Sequence, residues 1–531
     1  MKKIMKQHSF ASRLKSLALV FSIGLAFASC ANEDIAQNPN GKDNDANLTT
    51  FSTGDPATRT SMESNGAFYW EAGDKIWVKD DNGTWQQSRN APTEKTASFK
   101  FEVPGKFTKT TTYKVYYPGQ NGNQNQVTIA ANQSQAEPNT TAHFGTSGDC
   151  GMADAAWSNA KNGFAFTLDH KAAYLLFLPR TSNTILHDCY LTKVEVNSDN
   201  DITSTYTLDP TTGKLTGTGS GKKIVVSTVG SGTYANGFPL TNNATSAATN
   251  GTYVVVKPGT HTLKIRYWVK DMVTNVEGTI TKTLSSATYD QNKYYNITAN
   301  LDVKNYDGDH YYMWDAQEQY WKGYEWTKNL PSGTGQPTLR WSISSNYAHS
   351  SADPNHRYYN KSYPGNGISN PATHTPCKDL PNANEMSWYV RYGDPRWDGD
   401  ELWTTMGHLY KSGMWFKKKS VLQGEGHYDT EKSADGTTDM RTTYANYNNS
   451  SSSITTSGLP SAADVGNYFY LPALGYYLSG ALYYAVDGGY YWSSSANPQD
   501  RNFAYGLHFF SGHVDVNNSY RYEGWRVGGF E

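Results

Sequence analysis

In TLKIRYWV, Thr262–Val269, the apolar Leu263, Ile265, Tyr267 and Val269 alternate with Lys264, Arg266 and Trp268. Successive side chains of an extended chain point to opposite faces, so a period of two predicts a strand with one buried face and one polar face. KYYNITANLDV, Lys293–Val303, repeats the pattern through Tyr295, Ile297, Ala299, Leu301 and Val303. On either side, short alternating segments are separated by Gly, Pro and Asn, the punctuation of sandwich sheets. Composition agrees, with many Tyr, Thr, Asn, Gly and Trp residues and few Leu. The fold class expected is mainly β.

The chain has 531 residues and a formal net charge of -2. That length suits roughly two to four domains. Near-neutral charge argues against a nucleic-acid partner, because phosphate binding needs concentrated Lys and Arg. The run Lys417–Lys419 is short and follows an apolar MWF, so it reads as a solvated strand edge. At the start, Lys2, Lys3 and Lys6 precede SLALVFSIGLAFAS, Ser16–Ser29, which stops at Cys30. This is the layout of a bacterial export signal. The apolar run is too short and interrupted to span a bilayer, and no later segment offers the ~18 uninterrupted apolar residues a span needs. FASC, Phe27–Cys30, resembles a lipoprotein cleavage box, and Asn32–Asp34 resembles an acidic tag for the cell exterior. By that resemblance residues 1–30 are a lipoprotein signal peptide. Cys30 carries the lipid, and the expected location is the outer membrane, at the cell surface. Residues 31–55 are polar with almost nothing to bury, as in a flexible tether. Cys150, Cys189 and Cys377 remain; three cysteines cannot all pair, so Cys150 with Cys189, or three free thiols, are both open.

Six stretches together carry a family resemblance: ATRTSMESNGAFYWEAGDKIWV (Ala57–Val78), YKVYYP (Tyr113–Pro118), FTLDHKAAYLLF (Phe166–Phe177), YTLDPTTGKL (Tyr206–Leu215), YVVVKPG (Tyr253–Gly259) and KYYNITANL. They are strand and turn patterns similar to those of the fimbrillin family, exported lipoproteins that build type V pili. The resemblance implies two β-sandwich lobes, residues 56–180 and 181–305. It also implies maturation by a cut after an Arg near the start of the first lobe, removing an early strand so that another pilus subunit's strand takes its place. Arg59 stands at the matching position, and its ordinary alternative is a surface loop residue. Pairing of an incoming strand with an open sheet edge is the physics involved.

From Tyr312 to Trp326, YMWDAQEQYWKGYEW opens a Trp- and Tyr-rich region, residues 306–531. Helices are expected around Ala383–Tyr392, capped by Asn382 or Asn384, and around Gly399–Tyr410. Asp429–Gly458 reads as a low-complexity polar loop. LPALGYY (Leu471–Tyr477), YYWSSS (Tyr490–Ser495), AYGLHF (Ala504–Phe509) and GWRV (Gly524–Val527) resemble the end of C-type-lectin-like domains, some of which are tip adhesins of type V pili. The whole therefore reads as two fimbrillin-like β-sandwich lobes followed by an α+β C-type-lectin-like domain.

Period-two logic sorts that ending. Tyr505, Leu507, Phe509, Val514 and Val516 are assigned to the core. Gly506, His508, Phe510, His513, Asp515 and Asn517 face outward, with Asn518, Tyr520, Tyr522 and Trp525 beside them. Trp492 is expected in the core, and Tyr490 and Tyr491 are undecided. Rigid Tyr and Trp rings among short polar groups have the chemistry of a binding surface. The candidate ligand-binding set is therefore His508, Phe510, His513, Asp515, Asn517, Asn518, Tyr520, Tyr522 and Trp525.

No catalytic residue, metal or cofactor is expected. The carboxylates Asp394, Asp398, Asp400 and Glu401 lack an EF-hand spacing and read as helix capping and solvated charge. No phosphate loop, His/Cys metal spacing or nucleophile elbow occurs. The expected function is a non-enzymatic pilus tip or accessory adhesin. Its partners would be other pilus subunits by strand exchange, a surface protein or glycan as ligand, and the outer membrane through the lipid. An anchored glycan-capture lipoprotein and a carbohydrate-active enzyme using Asp398 are the alternatives.

Overall fold

Strands dominate, as the alternation predicts. The computed structural model describes residues 48–53, 61–62, 68–306, 311–324, 343–360, 371–405, 407–451, 454 and 459–531. Cys30, Arg59 and most of the polar stretch before residue 48 lie outside them. Among the described residues no helix is long and apolar enough to cross a membrane.

The first sheet runs Trp85–Gln87, Trp77–Lys79, Tyr113–Tyr117, Gly151–Ser158, Gly163–Phe166, Leu48–Thr53, Lys100–Pro104. Leu48–Thr53 falls within the stretch read as tether, yet it is an interior strand, parallel to Gly163–Phe166 and antiparallel to Lys100–Pro104. One residue explains the difference: Phe51 is fully buried and stacks on Phe164 with centroids 5.0 Å apart. A single aromatic in a polar run is enough to hold a strand when its slot lies in the core.

The second core lies between two sheets. One has the order Thr252–Val256, Ala173–Arg180, Tyr294–Asn300, so Ala173–Arg180, counted above with the first lobe, pairs with strands of the second. Leu263, Ile265, Tyr267 and Val269 are buried, as alternation requires. The other sheet has nine strands and runs across residue 305: Tyr468–Pro472, His408–Lys417, Arg396–Thr405, Glu277–Tyr289, Gly259–Asp271, Cys189–Ser198, Lys223–Ser227, Asn132–Ser134, with Phe238–Pro239 also pairing Cys189–Ser198. Glu277–Tyr289 joins Arg396–Thr405 through a parallel pairing of Thr279 with Glu401. Gly278 permits the approach: a Cβ there would lie 2.3 Å from the Asp400 carbonyl oxygen.

The helix expected around Gly399–Tyr410 is therefore a strand pair, Arg396–Thr405 with His408–Lys417. Its last residues are buried on both faces, and a register shift between Asp398 and Leu402 interrupts the parity, so no period-two pattern reaches the sequence. The helix Ala383–Tyr392 does form, capped by Asn382 with Glu385 completing a capping box. Of Asp429–Gly458, read as a low-complexity polar loop, residues 434–440 are pinned to that helix. The Ala434 N–H donates to Ser387 Oγ at 2.8 Å, the Met440 N–H donates to Asn384 Oδ1 at 2.8 Å, and Met440 is buried. Cys150, Cys189 and Cys377 are buried free thiols.

The carboxylates of the Arg396–Thr405 strand are structural. Arg266, read from the sequence as the polar face of its strand, is 6 % exposed and donates to Asp398 Oδ1 at 2.9 Å. Lys264, equally covered, donates to the Pro460 carbonyl at 2.6 Å. Glu401 accepts from the Thr281 N–H and from the Thr279 and Thr281 hydroxyls. Burial, and then the negative charge of Asp398, push the Glu401 carboxyl up to about 7. A folded value above the unfolded one means that proton binding favours the fold. This contribution is complete below about pH 4.5 and is lost as pH rises through about 7. Glu401→Gln keeps the neutral form. Thermal unfolding from pH 5 to 8 should show the wild type losing about 2–3 kcal/mol that the variant keeps; parallel pH profiles would contradict this.

Candidate functional site

The chain ends in a six-stranded sheet, in the order Tyr311–Tyr312, Trp525–Arg526, Gly488–Ala496, Phe503–Phe510, His513–Tyr520, Tyr447–Asn449. Its inner face carries Tyr505, Leu507, Phe509, Val514 and Val516, all fully buried in one cluster with Met386, Tyr389 and Val390 of the helix. The inward half of the sequence assignment holds.

Register builds the outward face in rows. Ser511 and Gly512 close the hairpin so that Phe510 pairs His513, His508 pairs Asp515 and Gly506 pairs Asn517. The neighbouring strands extend each row: Gly488 opposite Phe510, Tyr490 opposite His508, Trp492 opposite Gly506, and Asn448 opposite Asp515. Side chains in such a row stand about 5 Å apart and touch.

One side of this face is covered. Trp525 stacks on Trp492 with centroids 4.5 Å apart and meets Tyr490 edge-on at 5.1 Å. Its indole lies over Gly506, where a Cβ would come within 2.5 Å of the ring. The indole N–H donates to Glu523 at 2.9 Å, and burial raises the Glu523 carboxyl above its ordinary range. Trp525 is only 3 % exposed. This corrects its assignment as a contact residue: it is the floor of the site, because Gly506 leaves a flat bed that an indole fills. Trp492, Tyr490 and Tyr491 are buried too.

The other side stays open. His508, Phe510, His513 and Asn517 are half-buried; Asn518 is half-buried too, but it pairs with Tyr505 and shares the parity of Val514 and Val516, which corrects its placement beside the outward set. Asp515 is 7 % exposed, which corrects its placement among the exposed residues; the two histidines cover it, His508 Nε2 at 2.8 Å and His513 Nε2 at 2.5 Å from Asp515 Oδ2. At the far end of the hairpin Tyr520 and Tyr522 are 43 % and 37 % exposed and stack with centroids 5.0 Å apart. Tyr520 shares the parity of Val514 and Val516 but lies past the end of the core, against Phe503. The nine expected residues therefore split into five in rows around His508, a tyrosine pair at the hairpin's other end, one floor residue, and Asn518 on the opposite parity.

Sequence reasoning missed Tyr484. It is 41 % exposed, packs edge-on to Phe510 at 5.7 Å, and extends the ring surface past the hairpin. Its backbone is left-handed, φ 56°, and so is that of Val486, φ 68°. Non-glycine residues held there often mark functional turns. YYAVDGG, Tyr483–Gly489, offers a hint only through its glycines.

No family model and no curated protein matches the chain. Solved structures that it resembles include a candidate cell adhesion protein from Bacteroides ovatus, with TM-score 0.30 and 15 % identity over 47 % of this chain and 92 % of that one. Another, from Bacteroides fragilis, has TM-score 0.28 and 14 % identity over 48 % and 92 %. A fimbrial protein from Bacteroides ovatus has TM-score 0.25 and 11 % identity over 90 % and 98 %. Likeness at these scores carries no argument, and the functional reading rests on this chain's own residues.

Proposed function

We infer that this chain is a non-enzymatic surface adhesin whose terminal sheet docks a protein or glycan of another surface. The observation that carries the reading is the exposure of rings at both ends of the hairpin, Tyr484 beside half-open Phe510 at the turn and stacked Tyr520 and Tyr522 at the far end, next to a bed made rigid by stacked Trp492 and Trp525. Such rings supply contact area at little entropic cost, and the flanking Asn517 supplies an adaptable hydrogen-bonding group. Asp398, the carboxylate of the enzyme alternative, and its neighbour Glu401 are engaged in holding strands together. Lipidation at Cys30 places the protein on the outer membrane in this reading.

Assembly with other pilus subunits is the second part of the proposal. Leu48–Thr53 precedes Arg59 and lies between two strands, so a cut after Arg59 leaves it held without a covalent link. A neighbouring subunit's strand then has a slot with two open edges.

The test is retention of beads coated with the full chain on mucin and on fixed bacterial cells. Tyr484→Ala, Phe510→Ala and Tyr520→Ala should each weaken retention by at least about tenfold on one of these surfaces. Stability should change by less than about 1 kcal/mol. Unchanged retention in all three would remove this face from the function.

A further inference from the structure

The binding reading leaves one cluster unused. Asp515, His508 and His513 lie on adjacent strands, and the hairpin register sets Asp515 opposite His508, with His513 one position beyond on the same face. Both imidazole Nε2 atoms converge on a single carboxylate oxygen, Asp515 Oδ2, at 2.8 Å from His508 and 2.5 Å from His513. One donor atom from each residue lies within 4.8 Å of the others.

Hydrogen bonding inside the cluster leaves it incomplete. Asp515 Oδ1 and His508 Nδ1 are buried and have no hydrogen-bond partner among the described residues. Leaving a buried carboxylate oxygen without a donor is costly, and satisfied polar groups are the rule in folded proteins. His513 is different, because its Nδ1 lies 2.7 Å from Ser450 Oγ. A histidine that ligates a metal through one nitrogen usually gives its other N–H to such an oxygen, which fixes the tautomer and aims the ligand.

We propose that His508, His513 and Asp515 form a site for a divalent transition-metal ion of the zinc class. The donor set selects the ion. Imidazole nitrogens with one carboxylate suit zinc and its neighbours, whereas calcium takes six to eight oxygens. Ligands of a tetrahedral zinc ion stand at about 2.0–2.1 Å, so two of them are about 3.3 Å apart. The present Nε2–Oδ2 spacings of 2.8 and 2.5 Å must then open by less than 1 Å. The imidazoles are 22 % and 34 % exposed, so small torsions on the solvent side supply that movement. The ion neutralises Asp515 and, held by one atom of each residue, keeps one coordination position towards solvent, since three protein ligands leave a tetrahedral ion open. Phe510 stands beside His508, with ring centroids 6.2 Å apart. The site stands whether or not the face docks a partner.

The experiment titrates zinc alone into the full chain after chelator treatment. One equivalent should bind. His508→Gln and His513→Gln should each weaken binding by at least about tenfold, and His349→Gln, outside the cluster, should leave it unchanged. On the unaltered chain, zinc should protect His508 and His513 from acylation by diethyl pyrocarbonate, and the exposed His349 should stay reactive. No saturable binding by the wild type, undiminished binding in both variants, or equal acylation with and without zinc would overturn the proposal. Binding read on the unaltered chain keeps the test sound if a variant fails to fold.

Discussion

Trp525→Ala should lower the stability of the terminal region by about 3–5 kcal/mol, the range for emptying a buried tryptophan site. The indole stacks on Trp492, packs against Tyr490 and fills the flat bed over Gly506. Its loss leaves a cavity on a sheet whose strands are already at full density, and neighbouring rings cannot collapse onto a glycine without bending the Phe503–Phe510 strand. The deletion also removes a donor from Glu523, which keeps only Ser519 Oγ at 2.7 Å among its side-chain partners. An under-satisfied buried carboxylate adds to the loss. Urea denaturation followed by circular dichroism measures this directly. A change below about 1 kcal/mol with weakened adhesion would return Trp525 to the contact surface.

The second large effect concerns the first strand. If Leu48–Thr53 is exchangeable, the chain cut after Arg59 should take up a labelled peptide of residues 47–55 in place of its own strand, and the intact chain should not. Phe51→Ala in that peptide should weaken uptake by a factor on the order of 100 or more, because about 3–5 kcal/mol rides on a buried Phe and each 1.4 kcal/mol is tenfold. Phe51 is the anchor: it stacks on Phe164 and meets Phe107 edge-on at 5.2 Å. Main-chain bonds to Lys100–Pro104 and Gly163–Phe166 set the register but carry little sequence information. Uptake indifferent to Phe51, or no uptake by the cut chain, would contradict strand exchange.

Alternation carried much of the fold. Leu263 to Val269 and Tyr505 to Val516 face as the period of two requires, because each strand has one face in a core and turns that keep the count. It failed where both faces are covered. Arg266 and Lys264 look like a solvated face until Arg396–Thr405 and the Pro460 carbonyl close over them, and the same burial erases the strand signal of Arg396–Thr405. Trp525 was misread for a related reason. Its burial depends on Gly506, nineteen positions earlier, and on Trp492 in the neighbouring strand, thirty-three positions earlier, neither of which is local. The metal cluster, by contrast, was within reach of the sequence. A two-residue turn at Ser511 and Gly512 fixes His508 opposite Asp515, and the pairing rather than the spacing along the chain is what brings the donors together.

Hydroxyl-radical footprinting of the full chain, free and seated on whichever of the two surfaces retains it, tests the docking face most directly. The expected result is protection on docking at Tyr484, Phe510, His513, Tyr520 and Tyr522, with Trp492 and Trp525 unreactive in both states. Strong oxidation of Trp525 in the free chain, or protection confined to residues before 306, would contradict it.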